Sequence, residues 1–65
     1  MRVLDVDLSV GLSLRRIYRR SENVTFIVFL VHDDVTGTPL VESRDQQAAR
    51  DQYLKIAQEL RQRIK

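Results

Sequence analysis

The chain has no cysteine and no tryptophan, and its 65 residues include only two glycines and one proline. Without cysteine, neither a disulfide nor a thiolate metal site can reinforce a domain of this size, which buries only roughly 60% of its unfolded surface. The sequence therefore predicts one small domain, residues 1–65, near the lower limit of independent stability. Self-association is one remedy for such a shortage of buried surface.

Long apolar runs are also missing. The most apolar stretch, residues 24–31, is far shorter than the roughly 20 residues of a membrane-spanning helix. Asp5 and Asp7 interrupt the apolar residues near the start, so the pattern of a signal peptide is absent. We expect a cytoplasmic protein without a membrane partner.

Neither sign of charge is in large excess. Eleven Lys and Arg residues against nine Asp and Glu residues give a net charge of +2, which does not mark the whole chain as a nucleic-acid binder. Any electrostatic function must therefore depend on a local cluster of charge.

A strict period of two runs through residues 4–14 and predicts one long strand. Asp5 and Asp7 would lie on its exposed face, opposite an apolar face. Continued alternation would place Arg16 and Arg20 on the core side, so we expect a bulge near Arg15 that reverses the two faces. The apolar face would be formed by Leu4, Val6, Leu8, Val10, Leu12 and Leu14.

Two further strands follow. Residues 24–31 are apolar on both faces, which is typical of a central strand. The polar residues 32–37 end in Gly37 and predict a hairpin loop with this glycine in the left-handed region. Residues 38–42 predict a short third strand, which Pro39 would confine to an edge because proline lacks the backbone donor.

From Ser43 onward the period becomes 3.6. Ser43 and Gln46 fit a capping box, and the segment predicts an amphipathic helix of about 20 residues. The predicted class is α+β, a three-stranded antiparallel meander with one C-terminal helix packed on one face. The apolar stripe of the helix consists of Ala49, Tyr53, Ile56, Ala57, Leu60 and Ile64, with Arg61, Arg63 and Lys65 at its end.

One helix covers only one face of such a sheet, and a first strand of this length exceeds what its hairpin partner can pair. Both features favour a small non-catalytic binding module that associates through its sheet with a protein partner, including a second copy of itself. The residues predicted to carry this association are Leu4, Val6, Leu8, Val10, Phe26 and Phe29.

The alternative function is nucleic-acid binding by the basic segment 15–20. Guanidinium groups bind phosphates and an aromatic ring stacks on bases, although charged residues at a strand end also serve to block aggregation at a sheet edge. The residues of this alternative are Arg15, Arg16, Tyr18, Arg19 and Arg20.

Catalysis and cofactor binding have little support. His32 is the only histidine and lies beside Asp33 and Asp34, but a metal site needs three or four ligands and these carboxylates are accounted for by the turn. No glycine-rich phosphate loop is present to hold a nucleotide. We expect a protein that is not an enzyme and carries no cofactor.

Overall fold

The computed structural model describes residues 1–63. One antiparallel sheet contains four strands in chain order, and a single helix follows it. The α+β class and the C-terminal helix are confirmed, but the predicted count of three strands is wrong. Ile64 and Lys65, which were assigned to the helix, lie outside the described residues. The elements are β1 (Arg2–Asp7), β2 (Leu12–Ser21), β3 (Val24–Asp33), β4 (Thr38–Ser43) and α1 (Gln46–Arg63).

The additional strand arises because a turn divides the predicted strand 4–14. Asp7 pairs with Leu12, and residues 8–11 connect the two strands. The Asp7 carboxylate accepts hydrogen bonds from the Ser9 backbone N–H (3.0 Å) and hydroxyl, while Gly11 has a φ of 67°. These are ordinary turn features. The apolar residues beside these turn features continue the period of two by chance, so the sequence pattern did not reveal the turn.

A β-bulge is present, but in β1 instead of near Arg15. The register passes from Val3 opposite Arg15 to Asp5 opposite Leu14, which leaves Leu4 as the extra residue. The turn at residues 8–11 reverses the predicted faces of β1, because it places Asp7 opposite Leu12 and Asp5 opposite Leu14. Asp5 and Asp7 therefore lie toward α1, where they form ion pairs with Arg50 and Arg61. Beyond the bulge the faces reverse again, so that Arg2 and not Val3 lies on this side.

The β2–β3 hairpin is the longest pairing in the fold. Its register is unbroken from Leu12 opposite Asp33 to Ser21 opposite Val24. As predicted, β3 is an interior strand, β4 with Pro39 is an edge strand, and Gly37 has a positive φ in the β3–β4 turn.

The helix begins later than predicted. Asp45 is the N-cap, since its carboxylate accepts a hydrogen bond from the Gln47 N–H (3.2 Å) and its carbonyl accepts one from the Ala49 N–H (3.1 Å). Ser43 instead ends β4 and accepts a hydrogen bond from the Asp45 N–H (3.1 Å). The predicted stripe packs against the sheet as far as residue 60. The core contains Leu12, Leu14, Phe29, Val31, Ala49, Tyr53 and Ala57, flanked by Leu4, Val10, Val41, Ile56 and Leu60.

Half of the β2–β3 hairpin extends beyond the rest of the sheet. The outermost pair of β1 joins Arg2 to Arg16, and that of β4 joins Ser43 to Phe29. Residues 17–28 consequently form a two-stranded projection, the hairpin arm. The arm explains why the radius of gyration is 12.5 Å, whereas a compact chain of this length is expected near about 10.7 Å.

The two turn glycines differ in how much a substitution by alanine would lower the free energy of unfolding. A Cβ on Gly11 would lie 2.4 Å from Val35 Cγ2, whereas a Cβ on Gly37 would meet open space. Both glycines have a positive φ. We predict that Gly37→Ala lowers the free energy of unfolding by about 1 kcal/mol from backbone strain alone, and that Gly11→Ala lowers it by more, because its Cβ must also displace the exposed side chain of Val35. Urea unfolding of both variants measures the difference, and equal losses would contradict the close approach of Val35.

Candidate functional site

The hairpin arm brings part of the predicted basic site together on one face. Arg16, Tyr18 and Arg20 alternate along β2 on the same side of the sheet as α1. Because no bulge occurs in β2, these residues keep the parity of Leu14, and our expectation that they face away from the helix is wrong. Tyr18 and Arg20 are exposed and Arg16 is half-buried, since α1 runs away from the arm, with Arg61 near its end against Asp7.

The other two arginines of the segment lie on the opposite face and are neutralised. Arg15 donates to Asp34 Oδ1 (2.7 Å) and, through Nε, to the Ser13 hydroxyl (2.9 Å). Arg19 donates to Glu42 Oε1 (2.7 Å), and this hydrogen bond raises the pKa of the Arg19 guanidinium. The five predicted residues therefore divide into a free group on one face and a paired group on the other.

Charged side chains cover the sheet face that α1 leaves open. Arg19 on β2 and Glu42 on β4 join across β3 above Val28, which is only 2% exposed. The Arg44 guanidinium lies 4.0 Å from the centre of the Phe26 ring. Arginine and glutamate stems thus replace a second layer of secondary structure on this face.

The residues predicted to carry self-association do not form one surface. Leu4 and Val10 pack against the core, Phe29 is buried in it, and Phe26 is half-buried under Arg44. Within residues 4–10, which we expected to lack an intrachain partner, Asp5 to Asp7 pair with β2 and residues 8–10 belong to the turn.

The residues predicted for self-association that remain exposed, Val6 and Leu8, lie along one edge of the sheet. Val6 and Leu8 are 48% and 87% exposed, and Val3 beside them is 48% exposed. We call Val3, Val6 and Leu8 the edge strip. It follows β1, which is an edge strand, into the turn that joins β1 to β2.

Arg2 belongs with the free arginines, and sequence reasoning missed it. Arg2 pairs directly with Arg16 across β1 and β2, so both side chains project from the same face. Among residues 1–63, neither Arg2, Arg16 nor Arg20 forms an ion pair. Only the strand register reveals this neighbour, because fourteen positions separate it from Arg16 along the chain.

A polar network joins the turns at the end of the sheet opposite the arm. Asp34 Oδ1 accepts hydrogen bonds from the buried Ser13 hydroxyl (2.9 Å) and from Arg15, and it lies 2.7 Å from His32 Nδ1. The bond to His32, followed by those to Ser13 and Arg15, lowers the pKa of Asp34 from its ordinary value of 3.8. The Asp34 N–H also donates to the Gly11 carbonyl (2.8 Å). The network therefore has a structural role in linking the two turns.

Within residues 1–63 there is no ligand-sized cavity and no group of three or more side chains placed to hold a metal ion. Over the same residues, α1 is not apolar enough to cross a bilayer.

Acid should destabilise the protein through Asp34. Because its pKa is lower in the folded state, its contribution to stability is complete above the unfolded value near 3.8 and is lost as the pH falls below it. We predict that Asp34→Asn is less stable at neutral pH and loses less stability on acidification than the parent chain. Urea midpoints between about pH 2 and pH 7 test this.

The matched control is Glu59→Gln, which removes an exposed carboxylate of α1 that has no ion pair among residues 1–63. This variant should keep the acid dependence of the parent chain. An acid dependence of Asp34→Asn equal to that of the control would contradict the role of the network.

Comparison with known proteins adds no family, since no protein-family model, curated protein or solved structure matches this chain. The function is accordingly inferred from the geometry of its own residues.

Proposed function

We propose that this chain is a non-catalytic binding module whose hairpin arm binds nucleic acid. The observation that carries the proposal is the separation of the arginines of β2 into two groups. Arg15 and Arg19 are neutralised by carboxylates, whereas Arg16 and Arg20 share the opposite face with Tyr18 and have no ion pair among residues 1–63. A face that merely solubilised a strand end would not need this segregation.

The free face has the chemistry that a nucleic acid requires. Guanidinium groups make charge-assisted and often bidentate hydrogen bonds to phosphate oxygens. Tyr18 is 59% exposed between Arg16 and Arg20, and an exposed aromatic ring between cations can stack on a base. A two-stranded ribbon also fits the major groove of duplex DNA, which is about 12 Å wide.

Charge along the molecule favours docking by the arm. Glu22 at the tip is the only carboxylate among residues 17–28, whereas Asp7, Asp33 and Asp34 lie at the opposite end of the sheet. A polyanion is therefore attracted to one end and repelled from the other. Since the net charge is only +2, binding should be modest at physiological salt and should strengthen as salt is lowered.

We predict that replacing Arg16 by Met and Arg20 by Gln together reduces the dependence of nucleic-acid affinity on salt. Each lost phosphate contact lowers the slope of log K against log salt by about 0.9 on duplex DNA, so the slope should fall by about two units. Fluorescence anisotropy with a duplex and with a single strand of the same sequence measures the slopes.

The control variant is Lys55→Gln with Arg63→Gln, which removes the same charge from exposed positions on α1. It should retain the parent slope if the arm makes the contacts. Equal effects of the two double variants, or no measurable binding to either nucleic acid at low salt, would contradict the proposal.

Self-association is the second candidate function, and the edge strip favours it. Val3, Val6 and Leu8 expose aliphatic side chains along β1, whose outer backbone edge has no partner strand within residues 1–63. A second copy that adds its own β1 would satisfy these backbone groups and bury part of the strip. This mode leaves the face of Arg16 and Arg20 accessible.

For this second candidate we predict a dimer that Val6→Lys disrupts. Val6 is 48% exposed, so lysine can reach water there without disturbing the fold, while it charges the centre of the strip. Sedimentation equilibrium at tens of micromolar protein should show a dimer for the parent chain and a monomer of 7.6 kDa for the variant. A folded monomer for the parent chain would remove this candidate and leave the nucleic-acid proposal intact.

A further inference from the structure

Two arginines face each other at the base of the hairpin arm. Arg2 of β1 lies directly opposite Arg16 of β2, and the same row of the sheet continues through Phe29 to Ser43. Directly opposed side chains on antiparallel strands have Cβ atoms about 5 Å apart, and like charges in that position destabilise the pair. Among residues 1–63 no carboxylate forms an ion pair with either arginine.

The side chain of Arg16 carries a second unfavourable feature. Its Nε is buried and has no hydrogen-bond partner within residues 1–63. A buried donor on a charged group costs free energy unless an acceptor reaches it. Among residues 1–63, both unfavourable features, the repulsion and the missing acceptor, coincide only at Arg16.

We propose that Arg2 and Arg16 form a binding site for one phosphate group. A phosphate has several acceptor oxygens, so it can accept from Nε and Nη of one guanidinium and from the other arginine at the same time. It would reverse the repulsion between the two cations, and because Nε is buried in the ligand-free chain, the Arg16 side chain would turn outward to bring this donor to the phosphate. The site deepens the proposed function, on which its biological role rests, because the phosphate of a nucleic-acid backbone has this chemistry.

The surroundings favour an anion. Asp45, which follows the end of this row, directs its carboxylate to the Gln47 N–H and forms no ion pair with Arg2 or Arg16. The start of α1 after Asp45 adds the positive end of a helix to this side of the sheet. Free phosphate and a backbone phosphodiester share the chemistry of the site, and the experiment separates them.

The test is a titration of the full chain with inorganic phosphate, and separately with dimethyl phosphate, followed by NMR of the arginine Nε–H groups. Saturable shifts of the Arg16 Nε–H resonance are expected at constant ionic strength. The melting temperature should rise by about 10 °C at ten times the dissociation constant. No saturable change at Arg16 with either probe would overturn the proposal.

Variants separate a ligand site from a structural arginine. Arg16→Met should melt at or above the parent temperature in chloride, because it removes the repulsion and the unsatisfied donor, and should lose the response to phosphate. Arg2→Gln should bind phosphate about tenfold more weakly, the loss expected for one charge-assisted hydrogen bond. Lys55→Met, at an exposed position of α1, is the control and should respond as the parent does.

Each outcome has a definite meaning. A phosphate response that Arg16→Met retains, or a lower melting temperature of that variant in chloride, would overturn the site. Responses to both probes would support a backbone phosphate as the ligand, whereas a response to inorganic phosphate alone would support a site for free phosphate. Because the probes contain no nucleic acid, the site can stand even if oligonucleotide binding fails, and the reverse also holds.

Discussion

The unbroken pairing of β2 with β3 is the interaction on which the rest of the structure depends. These strands have ten residues each, whereas β1 and β4 have six, so the outer strands pair with only one half of the central hairpin. That half provides Leu12, Leu14, Phe29 and Val31 to the core beneath α1. The other half has no third strand and no helix beside it within residues 1–63. One continuous hydrogen-bonded ladder therefore produces both a packed domain and an exposed arm.

The charged side chains that cover the open face of the sheet also determine which apolar groups are buried and which arginines of β2 are paired. The Arg19–Glu42 pair crosses β3 and shields Val28, which lets a chain of 65 residues bury apolar groups on both sides of its central strand with one helix. Exposed ion pairs contribute little through charge alone, so the packing of their stems is the more important effect. The same arrangement occupies Arg15 and Arg19, which leaves only the opposite face of β2 with arginines available to a ligand.

The sequence predicted the periodic parts of the fold and missed those that depend on register. The apolar run of residues 24–31 and the stripe from Ala49 to Leu60 identify β3 and α1, because burial imposes these patterns, whereas the period of two over residues 4–14 spans two strands and the turn between them. Placing the bulge is harder, since an extra residue in either strand of a pair changes which faces match, and the structure has it at Leu4 in β1. The opposition of Arg2 and Arg16 follows from this bulge and from the turn at residues 8–11. No local sequence pattern predicts the bulge or the turn.

The arm links stability to binding. A two-stranded ribbon is marginal in water, and here Tyr18 and Ile27 pair across it with 59% and 40% of their surface exposed. Glu22 at its tip adds strain, because its φ of 55° is uncommon for a residue other than glycine, asparagine or aspartate. The ladder that continues from the core holds the ribbon together, while Arg2 and Arg16 at its base repel each other and Tyr18 and Ile27 leave apolar surface exposed. Under the proposed function, a polyanion on this face would relieve the repulsion and cover the ring of Tyr18, so its binding energy would also stabilise the segment of the fold that is least stable by itself.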